Sequence, residues 1–118
     1  MSNATVFVTQ VPQKKDAATG VYIPTLNISP ASEHGEIKVM FPPKAAYVET
    51  SILVEQAIHA IEDYDYERGD CLLLLGDASI IAAVLLVLCR RVDEVCVLRF
   101  DRIIQRYSKV KFNLGEMN

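Results

Sequence analysis

Two clusters hold the side chains whose types and spacing could do chemistry. The first is Gly76-Asp77-Ala78-Ser79, where a tight turn meets the start of a long apolar run. If that run is a helix, the N–H groups of Ala78, Ser79 and Ile80 point outward from its start, where they attract anions, and the Ser79 hydroxyl adds a donor. The second is Arg99, Asp101 and Arg102, which end another apolar run. Arg99 or Arg102 could hold a phosphate against those amides while Asp77 bonds a ribose hydroxyl. The plainer reading makes Asp77 the helix cap, with Gly76 permitting the turn and Arg102 as a surface partner. A carboxylate at the cap also repels a phosphate. The chain has neither a Gly-x-Gly-x-x-Gly nor a Gly-Lys-Ser/Thr motif, so no cofactor is implied. The cap is therefore the favoured reading, and the anion or nucleotide site is the alternative.

Other groupings are weaker. His59, Glu62 and Asp63 share one face of a helix, but His34 is the only other histidine, and a metal site needs ligands converging from more than one element. A solvated helix face accounts for them. Ser79 has no Gly-x-Ser-x-Gly elbow, and neither histidine has an evident route to it, so no hydrolase emerges. Arg99, Arg102, Arg106, Lys109 and Lys111 form a basic group facing an acidic one of Glu62, Asp63, Asp65, Glu67 and Asp70. A net charge of −3 with only Tyr107 to stack on a base is a poor match for nucleic acid, whose binding depends on neutralising phosphates. A solvated edge with local ion pairs fits better. Cys71, Cys89 and Cys96 all lie among apolar neighbours without a Cys-x-x-Cys spacing. They read as small buried hydrophobes in a reducing compartment rather than as disulfides or zinc ligands.

The elements that must position these groups follow from hydrophobic periodicity. Val6–Val8 and Val21–Ile23 read as the two arms of an N-terminal hairpin with a long charged tip, and Pro24 limits the second arm to a strand end. Ser29-Pro30 through Gly35 suggests one helical turn, capped by Ser29. Ile37, Val39 and Phe41 alternate with Glu36, Lys38 and Met40 as a strand with one buried face. A long helix begins near Thr50 or Ser51. Leu53, Ala57, Ala60, Ile61 and Tyr64 recur along it at helical spacing, as do Val54 and Ile58. Leu72–Leu75 and Val95–Phe100 read as buried strands joined by a helix over Ser79–Arg91. This is a parallel βαβ unit. Its expected core is Leu73, Leu75, Ile81, Leu85, Val97 and Leu98. After a turn at Asp101–Arg106 the chain returns as an antiparallel edge strand guarded by Lys109 and Lys111.

Length and composition bound the rest. The 118 residues, 51% hydrophobic and 23% charged, suit one globular α/β domain over 1–118, built as a mixed sheet around the βαβ unit. A mean hydropathy of +0.20 is high for so small a domain and points to apolar surface hidden in a homo-oligomer. The longest apolar run, Ala78–Cys89, is about a dozen residues where a membrane span needs about 20. The N-terminus has no secretion-signal pattern. The reading is a cytosolic protein.

Four segments carry a resemblance: Val8-Thr9-Gln10-Val11-Pro12, Ile28-Ser29-Pro30-Ala31 with Gly35-Glu36, Gly69-Asp70 with Leu75-Gly76-Asp77 and Ile80-Ile81-Ala82-Ala83, and Val97-Leu98-Arg99 with Asp101-Arg102 and Arg106-Tyr107. In this order they resemble small proteins of unassigned function in tailed bacteriophage genomes. The chain departs from that pattern at Ala78, where proline is frequent, and at Phe100, where tryptophan is frequent. The resemblance implies a phage protein in the bacterial cytoplasm and supplies no mechanism. The leading expectation is a non-enzymatic accessory protein working through contacts with itself and with a phage or host protein. The competing one is a binder of a small anion or nucleotide at the carboxyl ends of the parallel strands, through Asp77, Ala78, Ser79, Arg99, Asp101 and Arg102.

Overall fold

Val6-Phe7-Val8 and Cys71-Leu72-Leu73 offer no polar face, so both are suited to strands covered on two sides. In the computed structural model, which describes residues 3–43 and 50–117, that is where they lie. The chain runs through β1 (Thr5–Gln10), β2 (Gln13–Lys15), β3 (Tyr22–Pro24), a short 3-10 helix (Ser29–His34), β4 (Glu36–Phe41), α1 (Thr50–Ile61), β5 (Cys71–Leu73), α2 (Ala78–Arg91), β6 (Glu94–Asp101) and β7 (Arg106–Asn113). Among the described residues, five strands form one sheet in the order β4-β1-β5-β6-β7. The first four are mutually parallel, and β7 pairs antiparallel with β6. Numbered within the sheet, this is the 2-1-3-4-5 order of doubly wound α/β proteins.

The expected βαβ unit and antiparallel edge strand are both present. The N-terminal hairpin is built differently from the expectation. β2 and β3 pair with each other as a separate two-stranded sheet, while β1 leaves the hairpin for the middle of the main sheet. Val6, Phe7 and Val8 are each 1% exposed or less, which a hairpin arm on a small domain could not achieve. Pro24 closes β3, as its missing N–H requires.

The two faces of the main sheet are covered unequally. Phe7, Leu72 and Val95 pack under Ala57, Ile61, Ile80, Val84 and Leu88 of the two helices. Val6, Val8, Cys71, Leu73, Cys96 and Leu98, with Tyr107 of β7, form the opposite face, on which Ala31 of the 3-10 helix packs. Gly35 lets that 3-10 helix turn directly into β4, because any Cβ there would sit 2.6 Å from the Ala4 carbonyl oxygen. His34 Nε2 donates to the Tyr107 carbonyl at 2.9 Å, and Glu33 pairs with Arg106. These contacts pin the 3-10 helix to β7. Ser29 does not cap it. The Ser29 amide instead donates to Asn27 Oδ1 at 3.1 Å.

Several core expectations shift by a residue. Leu73 and Leu98 are buried, whereas Leu75, Ile81, Leu85 and Val97 are only partly covered. The inward face of α2 is Ile80, Ala83, Val84 and Leu88. On α1, Ala57 and Ile61 point inward, and Val54 and Ile58 face outward at 54% and 44% exposure. The Thr50 side chain, one of the two expected caps of α1, lies outside the described residues. Cys71 and Cys96 are buried, but Cys89 is exposed, contrary to its apolar sequence context. No helix among the described residues is long and apolar enough to cross a membrane.

Candidate functional site

In a doubly wound sheet the natural crevice opens at the carboxyl ends of the strands, where neighbouring connections depart in opposite directions. Here that point lies between β1 and β5. It is filled by the protein's own side chains. Thr9 and Gln10 end β1 and are buried at 0% and 4% exposure. The Thr9 hydroxyl accepts the Leu75 amide at 2.7 Å and donates to the Leu75 carbonyl. Gln10 spans the gap: Nε2 donates to the carbonyls of Pro42 and Pro43 at 3.0 and 3.1 Å, and Oε1 accepts the Asp77 amide at 2.8 Å. Gly76, at φ 92°, leaves no room there for a side chain, since a Cβ would fall on Gln10.

Asp77 is the N-cap of α2. Its Oδ1 accepts the amides of Ser79 and Ile80 at 2.9 and 3.3 Å. Those amides are the donors an anion would have used, and a carboxylate already occupies them. Ala78 and Ser79 are exposed on the first turn. Arg99, Asp101 and Arg102 lie along β6 and its turn, where with Ile103 and Ser108 they line a shallow groove of about 480 Å³. Asp101 Oδ1 accepts the amides of Ile103 and Ile104 at 2.9 and 3.4 Å and so shapes the turn. Asp77, Ala78 and Ser79 do not line that groove. The six residues thus form two separate groups, each with its acidic member engaged by backbone amides.

The larger concavities lie on the sheet face that carries no α-helix. One, of about 740 Å³, runs between Ile37 and Val39 of β4 and the strand-to-helix segment at Pro24, Leu26 and Ile28. A second, of about 500 Å³, is bounded by Leu73, Leu75, Leu98, Phe100 and Tyr107. Leu26 and Asn27 line both, so the two flank a single ridge of chain. Among the described residues, no charged side chain lines either groove. Of the lining residues, Leu26, Val39 and Phe100 are between 41% and 47% exposed. An apolar, uncharged groove of this kind suits apolar side chains far better than a phosphate. Periodicity does not reveal it: Val39 alternates with polar neighbours as a buried-face residue would, yet it is 45% exposed and lines the groove.

The remaining candidates take structural roles. Asp70, expected on the acidic surface, is fully buried and paired with Arg68. Arg106 is engaged by Glu33. His59 lies 3.8 Å from Glu62 on the exposed side of α1.

The architecture defines a small α/β protein whose ligand crevice is plugged by Gln10 and whose open surface is apolar. Residues 4–114 match the family model described as phage Pam3 gp32-like protein, and the chain belongs to that family. No curated protein and no solved structure matches it.

Proposed function

We propose that this phage protein is a non-enzymatic accessory factor that acts in the host cytoplasm through protein contacts made by the helix-free sheet face, a second copy of the chain being one partner. The observation that carries this reading is the pair of grooves meeting at Leu26 and Asn27, lined among the described residues by no charged side chain and holding the exposed Leu26, Val39 and Phe100. Water-exposed apolar surface of this extent gains most from being covered by another protein. The competing reading, an anion or nucleotide site, has less support. Gln10 fills the crevice and Asp77 takes the helix amides, which leaves Arg99 and Arg102, of the six residues named, to meet an anion.

Leu26→Glu tests the proposal, because Leu26 is 47% exposed and a charge there should disturb the groove and not the core. Wild type and variant are used side by side to capture proteins from phage-infected cells, with circular dichroism confirming that both are folded. A partner held by wild type and lost by the variant is the expected result. Identical captured sets, or a thermal stabilisation of wild type by nucleotides or phosphate, would overturn it.

A further inference from the structure

Cys71 and Cys96 face each other on adjacent strands, away from the grooves discussed above. Leu72 pairs with Val97 in the parallel register of β5 and β6, so Cys71 and Cys96, one residue earlier on each strand, are direct neighbours. Both side chains lie on the helix-free face, and their sulfurs are 3.4 Å apart. Adjacent strands run about 4.7–4.9 Å apart, inside the roughly 4.4–6.8 Å range of Cα separations that a disulfide tolerates. The sulfurs need only approach to about 2.05 Å, with no slip of register.

The two thiols are not equivalent. Cys96 lines a pocket of about 250 Å³ with Tyr66, Glu67, Asp70, Lys109 and Lys111, while Cys71 does not reach it. The hydrogen bond shared with the Cys71 sulfur draws the Cys96 thiol down. Burial opposes this, and the ammonium groups of Lys109 and Lys111 add to it. Cys71 moves the other way, raised by its hydrogen bond with Cys96 and by burial. Both are buried, but the Cys96 sulfur borders the pocket beside two ammonium groups and is the attacking one, and Cys71 is the resolving one.

We propose that Cys71 and Cys96 form a reversible oxidation site that takes a small hydroperoxide as its oxidant and closes to an intramolecular disulfide. Cys96 sulfur attacks the terminal peroxide oxygen. The O–O bond breaks, an alcohol (water, from hydrogen peroxide) leaves with the proton, and Cys96 becomes a sulfenic acid. Cys71 sulfur then attacks that sulfur. The S–O bond breaks, and the hydroxyl departs as water with the Cys71 proton. Two thiols are oxidised by two electrons, and one peroxide is reduced. The closed bridge ties together the amino-terminal ends of two central strands.

The test uses the full chain carrying Cys89→Ser, which removes the exposed competing thiol. After brief treatment with hydrogen peroxide, intact-mass and peptide analysis should show a species lighter by two hydrogens, with Cys71 and Cys96 linked. Dithiothreitol should return it to the starting mass. With Cys71→Ser added, dimedone should label Cys96. In wild type, mapping under denaturing conditions gives the deciding comparison whether or not that second variant folds. If Cys71 and Cys96 remain free thiols at peroxide doses that oxidise Cys89, or if Cys96 passes to sulfinic acid without a bridge, the proposal is wrong.

Discussion

Asp70 is sealed from water, yet it remains ionised because its partners are fixed around it. Oδ1 accepts the Thr5 amide at 2.8 Å and Oδ2 accepts the Asp65 amide at 3.0 Å, while the Arg68 guanidinium donates to both oxygens. Burial pushes this carboxyl up, but the Arg68 hydrogen bonds and the two amides outweigh it and hold it below the usual carboxylate range. The carboxylate thus joins the start of β1 to the connector before β5. Asp70→Ala removes the acceptor of two part-buried amides and the partner of Arg68, and an amide left without an acceptor costs about 1–3 kcal/mol when fully buried. The expected loss is at least about 2 kcal/mol in urea unfolding. Arg68→Ala should cost less, because its side chain is 36% exposed and solvent screens the pair. A loss for Asp70→Ala within about 0.5 kcal/mol, as for an ordinary surface change, would contradict this. The folded pKa lies below the unfolded one, so the stabilisation is complete above the ordinary carboxylate value of about 4. It drains away as pH falls through the folded value. Asp70→Asn should therefore show a shallower fall in stability with acid than wild type, and parallel slopes would remove Asp70 from the acid response.

The second helix shows how far periodicity carries at the scale of an element. Its existence, its span and its Asp77 cap were all readable, since Gly-Asp before an apolar run allows little else. Its inward face was not. An almost wholly apolar helix such as Ala78–Cys89 has no polar stripe to fix its rotation, and the expected Ile81 and Leu85 give way to Ile80, Val84 and Leu88. Leu88→Ala, at 0% exposure, should cost about 2–5 kcal/mol, and Leu85→Ala measurably less; the reverse order in urea unfolding would restore the sequence-based face. Removing the cap with Asp77→Ala should cost about 1 kcal/mol. The position of β1 was hidden for a similar reason. A three-residue apolar run such as Val6-Phe7-Val8 fits a hairpin arm or a central strand equally well, and the partner is chosen by the long-range pairing with Glu36–Phe41 and Cys71–Leu73. The plug at the crevice was equally out of reach. Gln10 is only a polar residue at a strand end until Pro42, Pro43 and Asp77 are brought around it.

At the scale of the whole molecule, the described α-helices lie on one side of the sheet, and on the other side the short 3-10 helix and the connections at Val11, Ile28 and Tyr66 pack against it. Part of the apolar surface lies in the grooves about Leu26, where Val39 is also exposed. A standard interface takes about 800 Å² from each partner, about a tenth of the 7698 Å² surface of this molecule. A two-fold arrangement places the same patch on both copies, so one substitution acts twice. Under the proposal that a second copy is a partner, Leu26→Glu would set two carboxylates against an apolar surface and against each other, and each would lose water without gaining a partner. Light scattering should give twice the chain mass for wild type in moderate salt, falling to the single-chain mass for Leu26→Glu, with both proteins folded. Outward-facing Val54 and Ile58 on α1 offer a second apolar surface, and Ile58→Glu separates the two. Loss of the dimer in Ile58→Glu and not in Leu26→Glu would move the interface to the helical side, and a wild type that stays monomeric from high to low micromolar concentration would remove self-association altogether.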